Sequence, residues 1–300
     1  MKEILFTADL HLNINATNPR SGRSAMEDFA EAILREKPDV VVVAGDIGAA
    51  GHAARHLTEI RNAVGDRPLA ITLGNHDFWL PSVGHAQFSH LDQVVTRFWR
   101  EPARDLDIVL LDHENLDLGE IVVAGCYGHF DLGHAEPGLH VGGVELTESI
   151  YHSGGIGGVY WNDFRYIPNC ATRIQEEAKE QAEGLAARMD AAIAAGKRLL
   201  LATHTCPWRE LNGHPLRGDA SDILSAYSGN SLVGNEIQKR GASIDFLACG
   251  HTHKRMLERV LHRITSLNLG ADYGQFRGVI YDADSRQIRW VGEPVSDDAA

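Results

Sequence analysis

Aspartate, asparagine and histidine side chains occur along this chain in five short motifs whose residue types suit metal binding. The motifs are Asp9-Leu10-His11, Gly45-Asp46, Gly74-Asn75-His76-Asp77, His204 and Gly250-His251-Thr252-His253. Together they supply carboxylate oxygen, amide oxygen and imidazole nitrogen, a mixed set that suits Mn, Fe or Zn, whereas Mg and Ca prefer oxygen alone. Two such ions close together can clamp phosphate oxygens and lower the pKa of a bridging water. The motifs therefore predict one dinuclear hydrolytic site.

Taken singly, most of these motifs also have an ordinary structural explanation. An Asp-x-His pattern fits a capping aspartate beside a surface histidine, and Gly-Asp is common turn chemistry after a strand. The pair His251 and His253 is more specific, because two histidines one residue apart after a buried strand rarely serve packing. Glycines at positions 45, 74 and 250 precede candidate ligands, where a tight turn allows close backbone approach to an ion. In combination the motifs favour a functional site.

Each motif follows a stretch that predicts a buried strand. The five stretches are Ile4–Ala8, Asp39–Ala44, Leu69–Leu73, Arg198–Thr203 and Ile244–Ala248. Short apolar runs of this kind, several of them rich in β-branched residues, are typical of strands buried on both faces. In open α/β sheets, ligands bind outside the carboxyl ends of the strands. We therefore expect the five motifs to converge in space.

Helices and further strands complete the predicted α/β pattern. Apolar spacing and end signals predict helices over Ser24–Glu36, Ala53–Val64 and Thr172–Ala195. Further strands are predicted at Ile108–Leu111 and Ile121–Gly125, and alternation from Met256 to Val291 predicts antiparallel strands. We predict one domain over residues 1–300, with a long active-site loop or cap at about 126–170.

The ordered motifs, from Asp9 to His253, resemble those of the calcineurin-like metallophosphoesterase superfamily. The resemblance implies an α/β fold, a four-layer α-β-β-α sandwich of two mixed β-sheets flanked by helices. It implies two metal ions, the first held by Asp9, His11 and His253, the second by Asn75, His204 and His251, with Asp46 bridging both. It also implies that His76 faces the leaving-group oxygen and that Asp77 is positioned to orient His76.

Substrate preference is expected to reside in the 126–170 segment, because loops on a rigid scaffold carry specificity. Its stretch Trp161-Asn162-Asp163-Phe164-Arg165 is similar to an Asn-Asp-Tyr-Arg element of some bacterial superfamily members. Arg165 is a candidate for binding a phosphate oxygen, and Trp161 for stacking on a ring. The alternative interpretation is an aromatic plug that anchors the loop.

Other histidines are weaker candidates. His52 and His56 have the i, i+4 spacing of a helical metal pair, but no acidic partner near them is evident, so we do not expect a metal there. The remaining histidines, His214 among them, show no organised spacing.

Composition limits the partners. The chain has 300 residues, 23% of them charged and 44% hydrophobic, without an apolar run long enough for a signal peptide or membrane span, so a cytoplasmic location is expected. Four widely spaced cysteines are expected to be reduced and mostly buried. A net charge of −13 argues against nucleic acid and is compatible with a small phosphorylated substrate or a phosphoprotein. Oligomeric state is not readable from the sequence.

We predict metal-dependent hydrolysis of a phosphate monoester or diester, in which a metal-bridging hydroxide attacks phosphorus and His76 acts as the general acid. Two alternatives use the same motifs. One is a catalytically weak, metal-bearing interaction scaffold, against which the intact His76 argues. The other is a nuclease, which needs a positively charged track that the acidic balance does not supply.

Overall fold

The computed structural model describes residues 2–213, 215–254 and 259–292. His214 and the start of the predicted C-terminal strand region, at Met256, lie outside the described residues.

Two large β-sheets form the centre of the molecule. In chain order the strands are β1 (Glu3–Thr7), β2 (Val40–Ala44), β3 (Leu69–Thr72), β4 (Ile108–Leu110), β5 (Leu116–Asp117), β6 (Ile121–Cys126), β7 (His140–Val141), β8 (Val144–Glu145), β9 (Gly155–Ile156), β10 (Val159–Tyr160), β11 (Arg198–Thr203), β12 (Ile244–Cys249), β13 (Arg259–Leu261), β14 (Ile264–Asn268), β15 (Arg277–Asp282) and β16 (Ile288–Gly292). Among the described residues, the first sheet has the order β16-β15-β1-β2-β3-β4 and the second β13-β14-β12-β11-β6-β5.

Both large sheets mix parallel and antiparallel pairs. Strands β1 to β4 are parallel, and β15 and β16 extend their sheet in antiparallel fashion. In the second sheet β6, β11, β12 and β14 are parallel, whereas β5 and β13 pair antiparallel at the two edges. The expectation of purely antiparallel strands after Met256 is therefore wrong for β14. The β13–β14 hairpin turns β14 into the direction of β12, a pairing that alternation along the chain does not encode.

Helices cover the outer faces of the two sheets. The α-helices are α1 (Ala25–Glu36), α2 (Ala53–Val64), α3 (Leu91–Val94), α4 (Arg100–Asp105), α5 (Glu148–Ser153), α6 (Asp163–Tyr166), α7 (Cys170–Ala194) and α8 (Ser231–Lys239). A π-helical segment, Val95–Trp99, joins α3 to α4. Three separate hydrophobic clusters lie between the helices and the first sheet, between the sheets, and between the second sheet and α7 and α8. The predicted four-layer arrangement of two mixed sheets flanked by helices is confirmed.

Local signals place the major elements correctly. Ser24 caps α1 through a capping box with Glu27, and the helix ends at Lys37 in a left-handed conformation before Pro38. Helix α2 has the predicted bounds, Ala53–Val64. Between the sheets Phe246 packs against Phe6 and Tyr281, with ring centroids 4.9 Å apart in each pair. These aromatic contacts belong to the hydrophobic cluster that packs the two sheets face to face.

The stretch between β6 and α7 contains α5, α6 and two small hairpins, β7–β8 and β9–β10, instead of a structureless loop. It is anchored on the body of the protein, because the Tyr227 hydroxyl donates to the Tyr151 carbonyl at 2.8 Å. Whether it is an insertion in a single domain stays a prediction. No helix within the described ranges is both long enough and apolar enough to span a membrane.

Candidate metal centre

The five predicted motifs converge at the carboxyl ends of β1, β2, β3, β11 and β12. One group of side chains offers ligand atoms that all lie within 4.8 Å of one another, and its members are Asp9, His11, Asp46 and His253. In this group Nε2 of His11 lies 3.0 Å from Nε2 of His253 and 3.5 Å from Oδ2 of Asp46. We call it the first ligand group.

Asn75, His204 and His251 form the second ligand group. Oδ1 of Asn75 lies 3.1 Å from Nε2 of His204 and 3.0 Å from Nδ1 of His251. The two imidazole nitrogens lie 3.2 Å apart. Oδ1 of Asp46 lies 3.3 Å from the same nitrogen of His204, whereas its other oxygen faces the first group. Asp46 therefore lies between the two groups, as a bridging ligand must.

Hydrogen bonds to backbone carbonyls define the tautomers of the second group. A carbonyl oxygen only accepts, so Nδ1 of His204, 2.9 Å from the Ala44 carbonyl, is a donor. By the same reasoning Nε2 of His251 donates to the Tyr227 carbonyl at 3.1 Å. In the neutral rings the opposite nitrogens then present lone pairs towards Oδ1 of Asn75. With both rings neutral, the state in which histidine binds a metal, several acceptors face one another with no donor between them, and a cation stabilises this arrangement.

The electrostatics of the cluster also favour bound positive charge. Burial by itself lowers the pKa of His204, but Asp46 and Asp9 outweigh it and raise the pKa to about 10. Burial would raise the pKa of Asp46, yet His204, His76 and His11 together hold it well below the usual range. The same carboxylates that strengthen proton binding at His204 would attract a metal ion to that place.

The backbone at the site is strained. Five of the seven candidate ligands have positive φ although they are not glycine, and these are Asp9 (58°), His11 (44°), Asp46 (53°), His251 (74°) and His253 (53°). Such conformations cost energy and persist where the surrounding structure enforces them, often at functional sites. The turn at Gly74 is equally restrictive, because a Cβ there would lie 2.2 Å from Oδ1 of Asp46.

His76 lies beside the first ligand group, on the short 3-10 helix Asn75–Phe78 that follows β3. Its ring contacts the His11 ring edge to face, with centroids 4.5 Å apart, and stacks on Trp79 at 3.7 Å. Its backbone N–H donates to Oδ1 of Asp46 at 2.9 Å, so its position depends on the bridging carboxylate. Burial lowers the pKa of His76, with Asp46 opposing the shift.

Comparison with known proteins agrees with this geometry. A family model described as calcineurin-like phosphoesterase matches residues 2–255. The chain belongs to the calcineurin-like phosphoesterase family. It is accordingly a metal-dependent phosphoesterase, as the resemblance of its motifs predicted.

Solved structures of low sequence identity share the fold. Phosphopantetheinyl hydrolase (PptH) from Mycobacterium tuberculosis superposes with a TM-score of 0.67 at 14% identity, covering 91% of this chain and 90% of that chain. TT1561 of Thermus thermophilus superposes with a TM-score of 0.53 at 14% identity, covering 97% of this chain and 98% of that chain. A dimetal phosphatase from Danio rerio superposes with a TM-score of 0.50 at 15% identity, covering 98% of this chain and 99% of that chain. A search of curated proteins finds no match.

The structure does not show the hydrogen bond through which Asp77 was predicted to orient His76: among the described residues the Asp77 carboxylate bonds other groups. Its carboxylate accepts from the backbone N–H groups of Gly48 and Gly74, both at 2.7 Å, and from that of Ile47 at 3.3 Å. Nδ1 of His76 is buried with no hydrogen-bond partner among the described residues. In this phosphoesterase Asp77 instead ties together the turns after β2 and β3, and stacking on Trp79 orients His76.

Arg165 and Trp161 differ in their relation to the site. The Arg165 guanidinium is exposed and lies 5.3 Å from the centre of the Tyr166 ring. It does not line the cavity at the metal centre, so the geometry does not support its predicted contact with a phosphate oxygen. Trp161 lines that cavity, and its ring contacts the His251 ring edge to face, with centroids 5.5 Å apart. It also stacks on Tyr227, with ring centroids 5.6 Å apart, so it anchors the segment as well as lining the cavity. Its stacking on a ring of the substrate stays a prediction.

Asp163 is a site residue that sequence reasoning missed. It is fully buried, and its Oδ1 accepts from Nδ2 of Asn75 at 2.9 Å and from Nε1 of Trp79 at 2.7 Å. Its Oδ2 accepts from Nε1 of Trp161 at 2.8 Å. Burial raises the pKa of Asp163 to about 6, against the effect of these hydrogen bonds. Asp163 thereby turns the carboxamide oxygen of Asn75 towards His204 and His251. In the sequence, the one signal for this role of Asp163 was the position of its carboxylate among aromatic residues.

We expect Asp163→Ala to weaken metal binding by about 10- to 100-fold, the usual effect of removing a hydrogen-bond partner of a metal ligand. Without Asp163 the Asn75 carboxamide is free to rotate. Titration of metal-free protein, with circular dichroism to verify folding, measures the change. Trp161→Phe is the matched control, because it removes the Trp161–Asp163 hydrogen bond and leaves Asn75 held. Equal metal affinity in Asp163→Ala and the unmodified protein would contradict the positioning role.

Two other groupings of histidine lie outside the metal centre among the residues that the structure describes. The rings of His52 and His56 have centroids 5.8 Å apart. His90 groups with Glu177 and Glu180, but the Arg173 guanidinium already provides the cation, 2.8 Å from Nδ1 of His90 and 3.2 Å from Glu177. All four cysteines are free and buried, as predicted.

Proposed function

We propose that this phosphoesterase hydrolyses a phosphate ester with two metal ions. The observation that carries the proposal is the set of facing acceptors in two ligand groups that share Asp46. Asp9, His11 and His253 would hold one ion, Asn75, His204 and His251 the other, and Asp46 both. The mixed oxygen and nitrogen donors favour Mn, Fe or Zn. When bound, the ions would supply Lewis-acid activation of the phosphate and of the attacking water.

The protein supplies the proton for the leaving group. His76 lines the cavity at the metal centre, and stacking on Trp79 leaves its ring edge available to a bound ester. Because burial lowers its pKa, the ring of the free enzyme is neutral near pH 7. A phosphate dianion beside the ring favours its protonation, so substrate binding would prepare the general acid.

The cavity above the metal centre has a volume of about 520 Å³. This volume lies within the range of about 300–1,000 Å³ that is usual for small-molecule sites. Its lining includes the candidate ligands Asp46, Asn75 and His251 together with the aromatic residues Trp79 and Trp161. A small phosphorylated molecule fits such a site, and we propose a monoester or diester of this size as the substrate.

Activity measurements on metal-stripped and reloaded full-length protein test the proposal. We expect two equivalents of metal to bind and hydrolysis of 4-nitrophenyl phosphate or bis(4-nitrophenyl) phosphate to return with Mn, Fe or Zn. Buffer with the same metal and no protein is the control. Binding of two ions without turnover of either ester, with Co and Ni also tried, would favour the scaffold alternative. Failure to bind metal would overturn the proposed site.

A further inference from the structure

Two exposed basic side chains, Arg217 and Lys254, line the same cavity as the metal ligands. Lys254 directly follows the candidate ligand His253, and Arg217 belongs to the stretch before the 3-10 helix Ala220–Tyr227. Four carboxylates line the same cavity, and they belong to Asp46, Asp163, Asp222 and Asp272. What the two cations can bind therefore depends on whether these carboxylates already have other partners.

Among the described residues, neither Arg217 nor Lys254 forms an ion pair with a carboxylate. The exposed carboxylate of the cavity, that of Asp272, lies 3.8 Å from Nδ1 of His253. The buried carboxylates of the cavity are committed elsewhere: Asp46 faces the metal ligands, and Asp163 accepts three hydrogen bonds. Asp222 accepts from the backbone N–H groups of Arg217 and Gly218, both at 2.7 Å. These bonds hold the backbone at Arg217 in place and leave its guanidinium for another anion.

Part of the cavity lining is apolar. Tyr160, Tyr273 and Leu216 line the cavity and are 68%, 44% and 48% exposed. Exposed rings and aliphatic groups in a cavity that also holds metal ligands suit an organic group that links two charged ends of one ligand.

We infer that the substrate is a small-molecule phosphate ester with a second anionic group, which Arg217 and Lys254 bind while the scissile phosphate lies at the metal centre. The inference rests on the proposed function. It assumes that one end of the substrate carries the phosphate that reacts at the metal centre, and it assigns the binding site of the other end. The second group would be a phosphate or a carboxylate, since both accept charge-assisted hydrogen bonds from guanidinium and ammonium groups.

Matched substrate pairs test the inference. Fructose 6-phosphate is compared with fructose 1,6-bisphosphate, and adenosine 5′-monophosphate with adenosine 3′,5′-bisphosphate, with a carboxylate-bearing phosphate such as 3-phosphoglycerate as a third probe. For at least one pair we expect kcat/KM to be about tenfold or more higher for the doubly anionic member, the effect of one charge-assisted hydrogen bond. The preference should shrink as ionic strength rises.

The double variant Arg217→Gln/Lys254→Gln should lose this preference, with kcat/KM for the doubly anionic substrate falling about tenfold more than for its partner. Arg97→Gln/Lys179→Gln is the control, because it changes the net charge equally at exposed positions outside the cavity. Equal use of both members of every pair, or an equal loss in both double variants, would overturn the inference while leaving the proposed function intact. No hydrolysis of any ester would instead overturn the proposed function.

Discussion

Asp46→Ala should abolish the binding of both metal ions and lower kcat/KM by at least about 10³-fold, since bound metals contribute several kcal/mol to stabilising the transition state. Asp46 is buried between the two ligand groups, with one oxygen 3.3 Å from Nε2 of His204 and the other 3.5 Å from Nε2 of His11. It also accepts from the His76 backbone N–H, so its loss frees the proton donor as well.

Metal content and thermal unfolding measure this effect together. A ligand that binds only the folded state raises the melting temperature, so Mn should stabilise the unmodified protein and not Asp46→Ala. Asp46→Asn is the matched control, because it keeps the shape and an acceptor oxygen and removes the charge. We expect it to bind metal more weakly than the unmodified protein and better than the alanine variant. Two tightly bound ions in Asp46→Ala would contradict the bridging assignment.

His76→Ala should lower kcat by about 10²- to 10⁴-fold with metal content unchanged, because it removes the general acid and no ligand. The loss should be smaller for 4-nitrophenyl phosphate than for an alkyl phosphate, since a good leaving group departs without protonation. Steady-state kinetics on both esters, with metal analysis of the same preparations, measure the difference.

The pH dependence of His76→Ala provides a second readout. A general acid acts in its protonated form, so turnover of the alkyl ester by the unmodified enzyme should fall as pH rises through the pKa of His76 in the complex. This fall in turnover with rising pH should be absent in His76→Ala. His140→Ala, an exposed histidine on β7, is the control and should keep it. Loss of both metals in His76→Ala would show that His76 is a ligand.

Much of the fold was predictable because local signals and tertiary structure agree. The run of valines in β2 and the capping box at Ser24 specify their elements from neighbouring residues alone. Ligands bind at the carboxyl ends of the strands in open α/β sheets, so the five motifs could be predicted to meet at one edge before the pairing of the strands was known. The short helix α3 and helix α8 were missed, as were the small hairpins of the 127–169 stretch, where glycines and brief alternation leave several conformations open.

The roles of residues next to the ligands were harder to predict, because they depend on contacts between distant parts of the chain. Asp77 follows His76 in sequence, yet the 3-10 turn directs its carboxylate back to the amides of Gly48 and Gly74. Arg165 and Asp163 lie two residues apart on α6, and only Asp163 faces inwards.

The sequence by itself determined the types of ligand, their order along the chain and the edge of the sheets at which they meet, because strand periodicity and turn chemistry are local. Tertiary structure alone decided that Asp163, 88 positions from Asn75, holds its carboxamide, and that five ligands adopt positive φ. Such conformations are unfavourable for isolated residues and are enforced by packing. Hydrogen-bond partners this far apart in the chain are brought together only when the layers assemble.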